Sequence, residues 1–237
     1  MPGLDMDPTQ AQAPAGGWFH SLSLPGGETT AGVKPAEVLR TEAEVVFKHP
    51  VAGKRVLDIG AWDGFFAFEA ERRGAAEVLA TDHFCWSGEG WGTKAGFDYA
   101  HRRLGSRVMS LDIDVPQIAP ETTGVHDVVL FLGVLYHVKD PLQALERAAS
   151  VAGELLVVET CTALDVLPWP TMRYYEGREL GDDPTNFWAP NRRCLAAMAR
   201  DLGFKRIEMT GHPVTKPHWR APELYWKHNR VFMHAWR

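Results

Sequence analysis

Arg55-Val56-Leu57-Asp58-Ile59-Gly60-Ala61-Trp62-Asp63-Gly64-Phe65-Phe66-Ala67-Phe68 is a short apolar strand that runs into a glycine-bounded turn and out into a helix. The strand is Arg55 to Ile59, the turn is Gly60 to Gly64, and helical spacing continues to Gly74. Such a unit brings backbone N–H groups close to a ligand, at a helix N-terminus that favours negative charge. The nicotinamide-dinucleotide fingerprint needs a different glycine spacing. An Asp two residues ahead of the first Gly suits a ligand that carries an α-amino group.

The same strand-helix rhythm extends in both directions. Val78 to Thr81 reads as a second strand ending at Asp82, and a helix from about Thr93 to Leu104 is stopped by Gly105. Val108 to Leu111 reads as a third strand. Asp127 to Gly133 is an unbroken apolar run, as a parallel strand covered on both faces should be. Asp140-Pro141 supplies an N-cap and a first-turn proline for a helix to Ala152, and Glu154 to Glu159 is the next buried strand. Residues 161–190 depart from the rhythm with prolines, aromatics and acids, and read as a lid insertion. Asn191 to Leu202 is a helix ended by Gly203, and strands at Arg206 to Met209 and Arg230 to Trp236 close the chain as a hairpin. Upstream, residues 17–50 read as an N-terminal cap with a helix from Pro35 to His49, and residues 1–16 as a flexible tail. The expected fold is α/β and Rossmann-like. It has a seven-stranded, mostly parallel sheet with helices on both faces, in a single domain over 17–237.

Composition narrows the function. The 237 residues are 45% hydrophobic and 23% charged, enough for one full core. A formal net charge of -5 removes the global positive field of a general phosphate-backbone binder. Cys85, Cys161 and Cys194 are odd in number and far apart, which points to a reducing compartment. With no run of about 18 apolar residues, the expectation is a soluble, cytoplasmic chain without a membrane partner.

The acids around the glycine turn form one constellation. Asp58 would hold the ammonium of an adenosyl amino acid, with Gly60, Ala61 and Gly64 shaping the turn. Asp82 lies at the end of the next strand, where a carboxylate accepts both ribose hydroxyls. Asp112 would accept the adenine amino group, Ile113 would pack on the ring, and His83 or Phe84 would close its other face. Leu132, at the end of the central strand, completes the set. The expected cofactor is S-adenosylmethionine. Taken singly, each feature has a plainer reading: a glycine turn is often only a turn, and an Asp at a strand end often caps a helix.

Val56-Leu57-Asp58-Ile59-Gly60, Gly133-Val134-Leu135-Tyr136-His137 with Pro141-Leu142, and Gly153-Glu154-Leu155-Leu156-Val157-Val158-Glu159-Thr160 resemble class I methyltransferases. The branch they resemble is the tRNA wobble-uridine methyltransferase-like family, over roughly Trp18 to Trp236. That family's carboxylated cofactor is gripped by a Lys, a Tyr and an Arg. The resemblance implies Tyr136 and Arg230 for two of these, while the Lys has no counterpart at Trp18-Phe19-His20. One cation fewer argues for the ordinary cofactor, because a buried carboxylate needs its charge matched. Trp62 stands where the middle glycine is usual. The family's long N-terminal region is not found, and with the acidic balance this disfavours a tRNA acceptor.

Methyl transfer from a sulfonium is an in-line displacement, governed by how the acceptor atom is held. An oxygen or protonated nitrogen acceptor also needs a base, for which His137 and His20 are the candidates, with Tyr136 beside them. Trp18, Glu159, Tyr174, Asn186, Trp188 and Arg230 are expected to bind the acceptor. His212, His218, His228 and His234 show no metal-ligand spacing, and no metal is expected. The leading expectation is transfer to N or O of a natural-product-like small molecule by a monomer or homodimer. Transfer to a tRNA wobble uridine and a non-catalytic cofactor-binding subunit are the alternatives. A hydride-transfer enzyme fits poorly.

Overall fold

The computed structural model describes residues 17–90, 92–213 and 229–237; the expected tail over 1–16 lies outside them. The chain opens with β1 (Trp18–His20), β2 (Gly32–Lys34) and α1 (Ala36–Val46). It continues through β3 (Arg55–Ile59), α2 (Phe65–Arg72), β4 (Glu77–Asp82), α3 (Ala95–Leu104), β5 (Met109–Asp112) and the short α4 (Pro120–Thr123). Then come β6 (His126–Leu132), α5 (Pro141–Ser150), β7 (Ala152–Thr162), β8 (Met172–Tyr174), β9 (Trp188–Pro190), α6 (Arg192–Asp201), β10 (Arg206–Gly211) and β11 (Asn229–Trp236).

Seven strands form one sheet in the order β10-β11-β7-β6-β3-β4-β5. β3, β4, β5, β6 and β7 run parallel, and β11 is antiparallel to both its neighbours. The expected terminal hairpin is present as a pairing, but β11 passes between β10 and β7 instead of lying outside β10. Its register runs from Asn229 opposite Thr162 to Trp236 opposite Leu155, and this pairing draws β7 three residues beyond Glu159.

Alternation sorts the core to the two faces of the sheet. Leu39, Ala43 and Val46 of α1, Phe66, Ala67 and Ala70 of α2, and Phe97 and Ala100 of α3 cover Val56, Val128, Leu130 and Val157. On the other face, Ala144, Leu145 and Ala148 of α5 and Leu195 and Ala199 of α6 cover Leu57, Ile59, Val129 and Leu156. Helix ends follow their capping chemistry. The Asp140 carboxylate accepts from Gln143 N (3.0 Å), Asn191 Oδ1 accepts from Cys194 N (2.8 Å), and Gly105 closes α3 at φ 59°.

Residues 161–190 hold the antiparallel pair β8–β9, which frames a small core of Tyr136, Cys161, Tyr175, Leu180 and Ala189. Phe187 N donates to Tyr136 O (2.8 Å), tying this segment to the loop after β6. No helix among the described residues is long and apolar enough to cross a membrane.

Candidate active site

The carboxyl ends of the parallel strands open into one cavity of about 850 Å³. This is the crevice where open α/β sheets bind ligands. Asp58, the fourth residue of β3, is 2% exposed, and its Oδ2 has no hydrogen-bond partner. Burial first, and the nearby Asp82 second, push its carboxyl up to about 7, against a backbone N–H from Ala67. A buried, half-satisfied acid in a cavity wall is an acceptor that an α-ammonium, as donor, completes.

Asp82 carries a second strained charge. Burial raises its pKa, opposed by the N–H groups of Cys85 and Trp62, which donate to Oδ1 (2.9 Å) and Oδ2 (3.0 Å). Each oxygen keeps further lone-pair capacity for a diol. The cavity and these two acids fit S-adenosylmethionine.

The glycine turn acts differently from the expectation. Gly60 N and Ala61 N both donate to Thr81 O (2.8 and 3.0 Å), Gly64 N donates to Ala61 O, and Trp62 N goes to Asp82. The amides of Gly60, Ala61 and Trp62 fasten the turn to β4, and that of Gly64 closes the turn on itself, instead of reaching a ligand. Gly60 is needed for close approach: at φ 78°, an added Cβ would sit 2.4 Å from Val134 Cγ2. Gly64, also at positive φ, faces Phe97 and Phe68 instead of the cavity. Trp62 is left-handed at φ 47°, which costs about 1–2 kcal/mol outside glycine. Its ring stacks on Phe19 at 4.5 Å and 7°, and its carbonyl accepts from Trp86 Nε1. One strained residue thus holds both the N-terminal strand and the loop after β4.

Of the expected cofactor residues, Asp58, Gly60, Ala61, Asp82, His83, Ile113 and Leu132 line the cavity, as does Phe84. Asp112 does not: it pairs with His83 Nδ1 (2.8 Å) at the surface, and Asp114 lines the wall in its place. Of the acceptor set, Glu159, Asn186 and Arg230 line the cavity. Trp18 points into the core edge-on to Tyr99, while its neighbours Phe19 and His20 line the wall. Tyr174, 54% exposed, packs edge-on against Trp188, and neither reaches the cavity.

The three candidate catalytic side chains converge there. His137 Nδ1 lies 3.1 Å from Thr185 O and 3.0 Å from Thr185 Oγ1, and that hydroxyl donates to Asp183 Oδ1 (2.7 Å). Burial lowers the His137 pKa, which the Thr185 contact opposes. His20 is buried more severely: burial first and Lys34 second take its pKa down to about 3. It is therefore neutral at physiological pH and a weak proton acceptor. Tyr136, pushed up to about 12 by burial, accepts from Arg230 (3.0 Å). Arg230 also makes a bidentate pair with Glu159 at 2.5 and 2.6 Å, so its charge is already matched within the protein.

A second polar group on the same wall carries no sequence motif. Glu42 of α1 is 1% exposed, is bound by Lys34 Nζ (2.5 Å) and lies 2.6 Å from His212 Nε2. Only hydrophobic periodicity flagged α1, and nothing in it singles out an acid whose partners lie 8 residues upstream and 170 residues downstream. His234 bonds elsewhere on α1, with Nε2 3.1 Å from Val46 O. His218 and His228 lie outside the described residues. Among the described residues, no group of three or more metal-capable side chains occurs.

The methyltransferase domain family matches residues 35–209, most of the chain. The ubiquinone biosynthesis O-methyltransferase of Acinetobacter baylyi is 27% identical over 194 residues, covering 73% of this chain and 74% of that protein. The tRNA U34 carboxymethyltransferase of Chromohalobacter salexigens is 25% identical over 181 residues, covering 70% of this chain and 49% of that protein. Among solved structures, the N-terminal domain of EvdMO1 in the presence of SAH and D-fucose superposes with a TM-score of 0.66. It is 19% identical and covers 92% of this chain and 91% of that chain. By its family match and its fold, the chain belongs to the methyltransferase domain family and is a class I, S-adenosylmethionine-dependent methyltransferase.

Proposed function

We propose that this protein methylates an oxygen or nitrogen of a small-molecule acceptor, with His137 taking the proton. The observation that carries the reading is the shared cavity. Asp58, with its unpartnered Oδ2, opens onto the same space as Tyr136, His137, Glu159 and Arg230.

S-adenosylmethionine, when bound, supplies an electrophilic methyl group. Asp58 would hold its ammonium and Asp82 its ribose hydroxyls, while Ile113, Val115 and Phe84 offer apolar cover for the adenine. Thr185, anchored on Asp183, accepts from the Nδ1–H of His137 and so assigns the lone pair to Nε2. The lowered pKa keeps that imidazole neutral, ready to accept a proton as the acceptor atom loses it. Phe66 and Phe232 on the wall limit water around the reacting centre.

The curated O-methyltransferase relative supports a small-molecule acceptor. The tRNA relative supports a second reading, transfer to a wobble uridine, against which stands the net charge of -5. Labelled S-adenosylmethionine offered with a metabolite panel and with tRNA separates them. Label in small molecules is expected, and label in tRNA alone overturns the first reading. His137→Ala is expected to lower kcat by about 10²–10⁴ with cofactor affinity retained. An unchanged kcat removes His137 from proton transfer. Binding without turnover on any acceptor would leave a cofactor-binding subunit.

A further inference from the structure

Two buried carboxylates on the cavity wall are each neutralised by a cation that reaches into the same space. Glu42 and Glu159 have side chains 2% and 5% exposed, while their partners Lys34 and Arg230 are 23% and 27% exposed. The pairs are linked side by side. Glu159 stands opposite Phe232 in the β7–β11 register, and the Phe232 ring stacks with His212 at 5.7 Å and 20°. His212 Nε2 in turn meets Glu42. An aromatic face is thus flanked at both ends by an ion pair whose charges cancel. His20 lines the same wall, and its buried Nδ1 has no hydrogen-bond partner; the nearest carboxylate oxygen, on Asp63, is 3.8 Å away.

We propose that Lys34–Glu42 and Arg230–Glu159, flanking Phe232 and His212, form the acceptor subsite and select an uncharged, hydroxyl-bearing ring. The inference rests on the methyltransferase reading and adds the class of acceptor to it. An ionic acceptor gains little from a wall whose charges are already matched, and it loses its own hydration on entry. A hydroxyl both donates and accepts, so it can use spare N–H groups of Lys34 or Arg230 together with a carboxylate lone pair. Phe232 and His212 supply the apolar wall beside which the ring lies. Cancellation at each end also explains why a carboxylate on α1 stays ionised in a buried place: burial pushes Glu42 up, and His212 and Lys34 together hold it below the ordinary range.

The test is a competition measured by calorimetry on the full chain saturated with S-adenosylhomocysteine. The probes are phenol-type catechol, a methyl glycopyranoside, benzoate and benzylammonium. At least one neutral probe is expected to bind about tenfold or more tightly than both ionic ones, the scale of one hydrogen bond to a charge. Catechol and the glycoside distinguish an aromatic from a sugar-like source of the same hydroxyl chemistry. Equal or tighter binding of benzoate or benzylammonium, or no saturation by any probe, overturns the proposal. Lys34→Met exposes the charge of Glu42 and is expected to shift the ranking about tenfold toward benzylammonium; Glu42→Gln shifts it toward benzoate. Lys34→Arg, which keeps the pair, should restore the original order. Were Lys34→Met to misfold, Arg230→Met exposes the charge of Glu159 and carries the same comparison, with Lys34→Arg as the unmoved control, and an unmoved ranking in Arg230→Met refutes the idea. S-adenosylhomocysteine binding is measured first: its absence in the native protein defeats the methyltransferase reading, whereas its presence with a flat ranking defeats only the acceptor class.

Discussion

Asp58 Oδ2 is a buried oxygen without a partner, and its carboxyl titrates near 7 because burial and Asp82 both resist its charge. An ammonium ligand binds the ionised form. Below pH 7 the free protein must first release a proton, so affinity for S-adenosylhomocysteine is expected to fall by up to about tenfold per pH unit, and to level off above 7. Calorimetry in buffers of different ionisation enthalpy reads the proton released; Asp58→Asn should flatten the profile, and a flat profile in the native protein excludes the contact. Asp82→Ala is expected to weaken the same ligand by about 1.5–3 kcal/mol, the scale of hydrogen bonds to a charge, measured as a change in Kd. Both acids stand in the cavity wall, Asp58 two residues ahead of Gly60 and Asp82 at the end of β4, places that turn spacing and strand periodicity make readable. Asp112 was misplaced by the same periodicity: β5 is an edge strand, exposed along its whole length, so its last residue turned to His83 and the wall passed to Asp114. Glu42, Lys34 and His212 were invisible, since their meeting is made by tertiary packing and by no spacing along the chain.

At the level of elements, the strand-turn-helix around Gly60 was readable, while the job of its amides was not, because their partner Thr81 O belongs to another strand. Gly64→Ala would place a Cβ 2.6 Å from Phe97 and 2.7 Å from Phe68 at φ 86°. Overpacking and backbone strain together should destabilise the fold by about 2–4 kcal/mol in denaturant unfolding. Phe19→Ala removes the stack on Trp62 without touching the acids. Faster hydrogen exchange at β1 and β2 is expected, with β3 and β6 unaffected; unchanged exchange would mean the stack does not fasten the N-terminal strand. β1, β2, β8 and β9 escaped the sequence reading because three residues do not establish a period, whereas long helices such as α5 and α6 announced themselves through their caps.

For the whole molecule, alternating strands and helices were enough to specify the parallel sheet and its covered faces, but not the place of the last strand, since an antiparallel pair reads alike as an outer hairpin or an inserted one. Ligand binding to the native state should raise the melting temperature by mass action. At a hundredfold excess over Kd the gain is about 2.7 kcal/mol, or roughly 5–11 °C for a chain of this size. A calorimetric scan with and without S-adenosylhomocysteine measures it, and no shift would contradict a preformed site. The inserted strand also sets a timetable. During synthesis, β7 emerges with one edge open and β10 follows without a neighbour to hydrogen-bond; only when β11 leaves the ribosome do the two halves of the sheet become one. Arg230 travels on that late strand, so until then Glu159 is a buried acid without its cation and Tyr136 lacks its donor. A chain that lacks β11 therefore keeps Asp58 and Asp82 on the pairing strands β3 and β4 but has neither Arg230 nor its pair with Glu159.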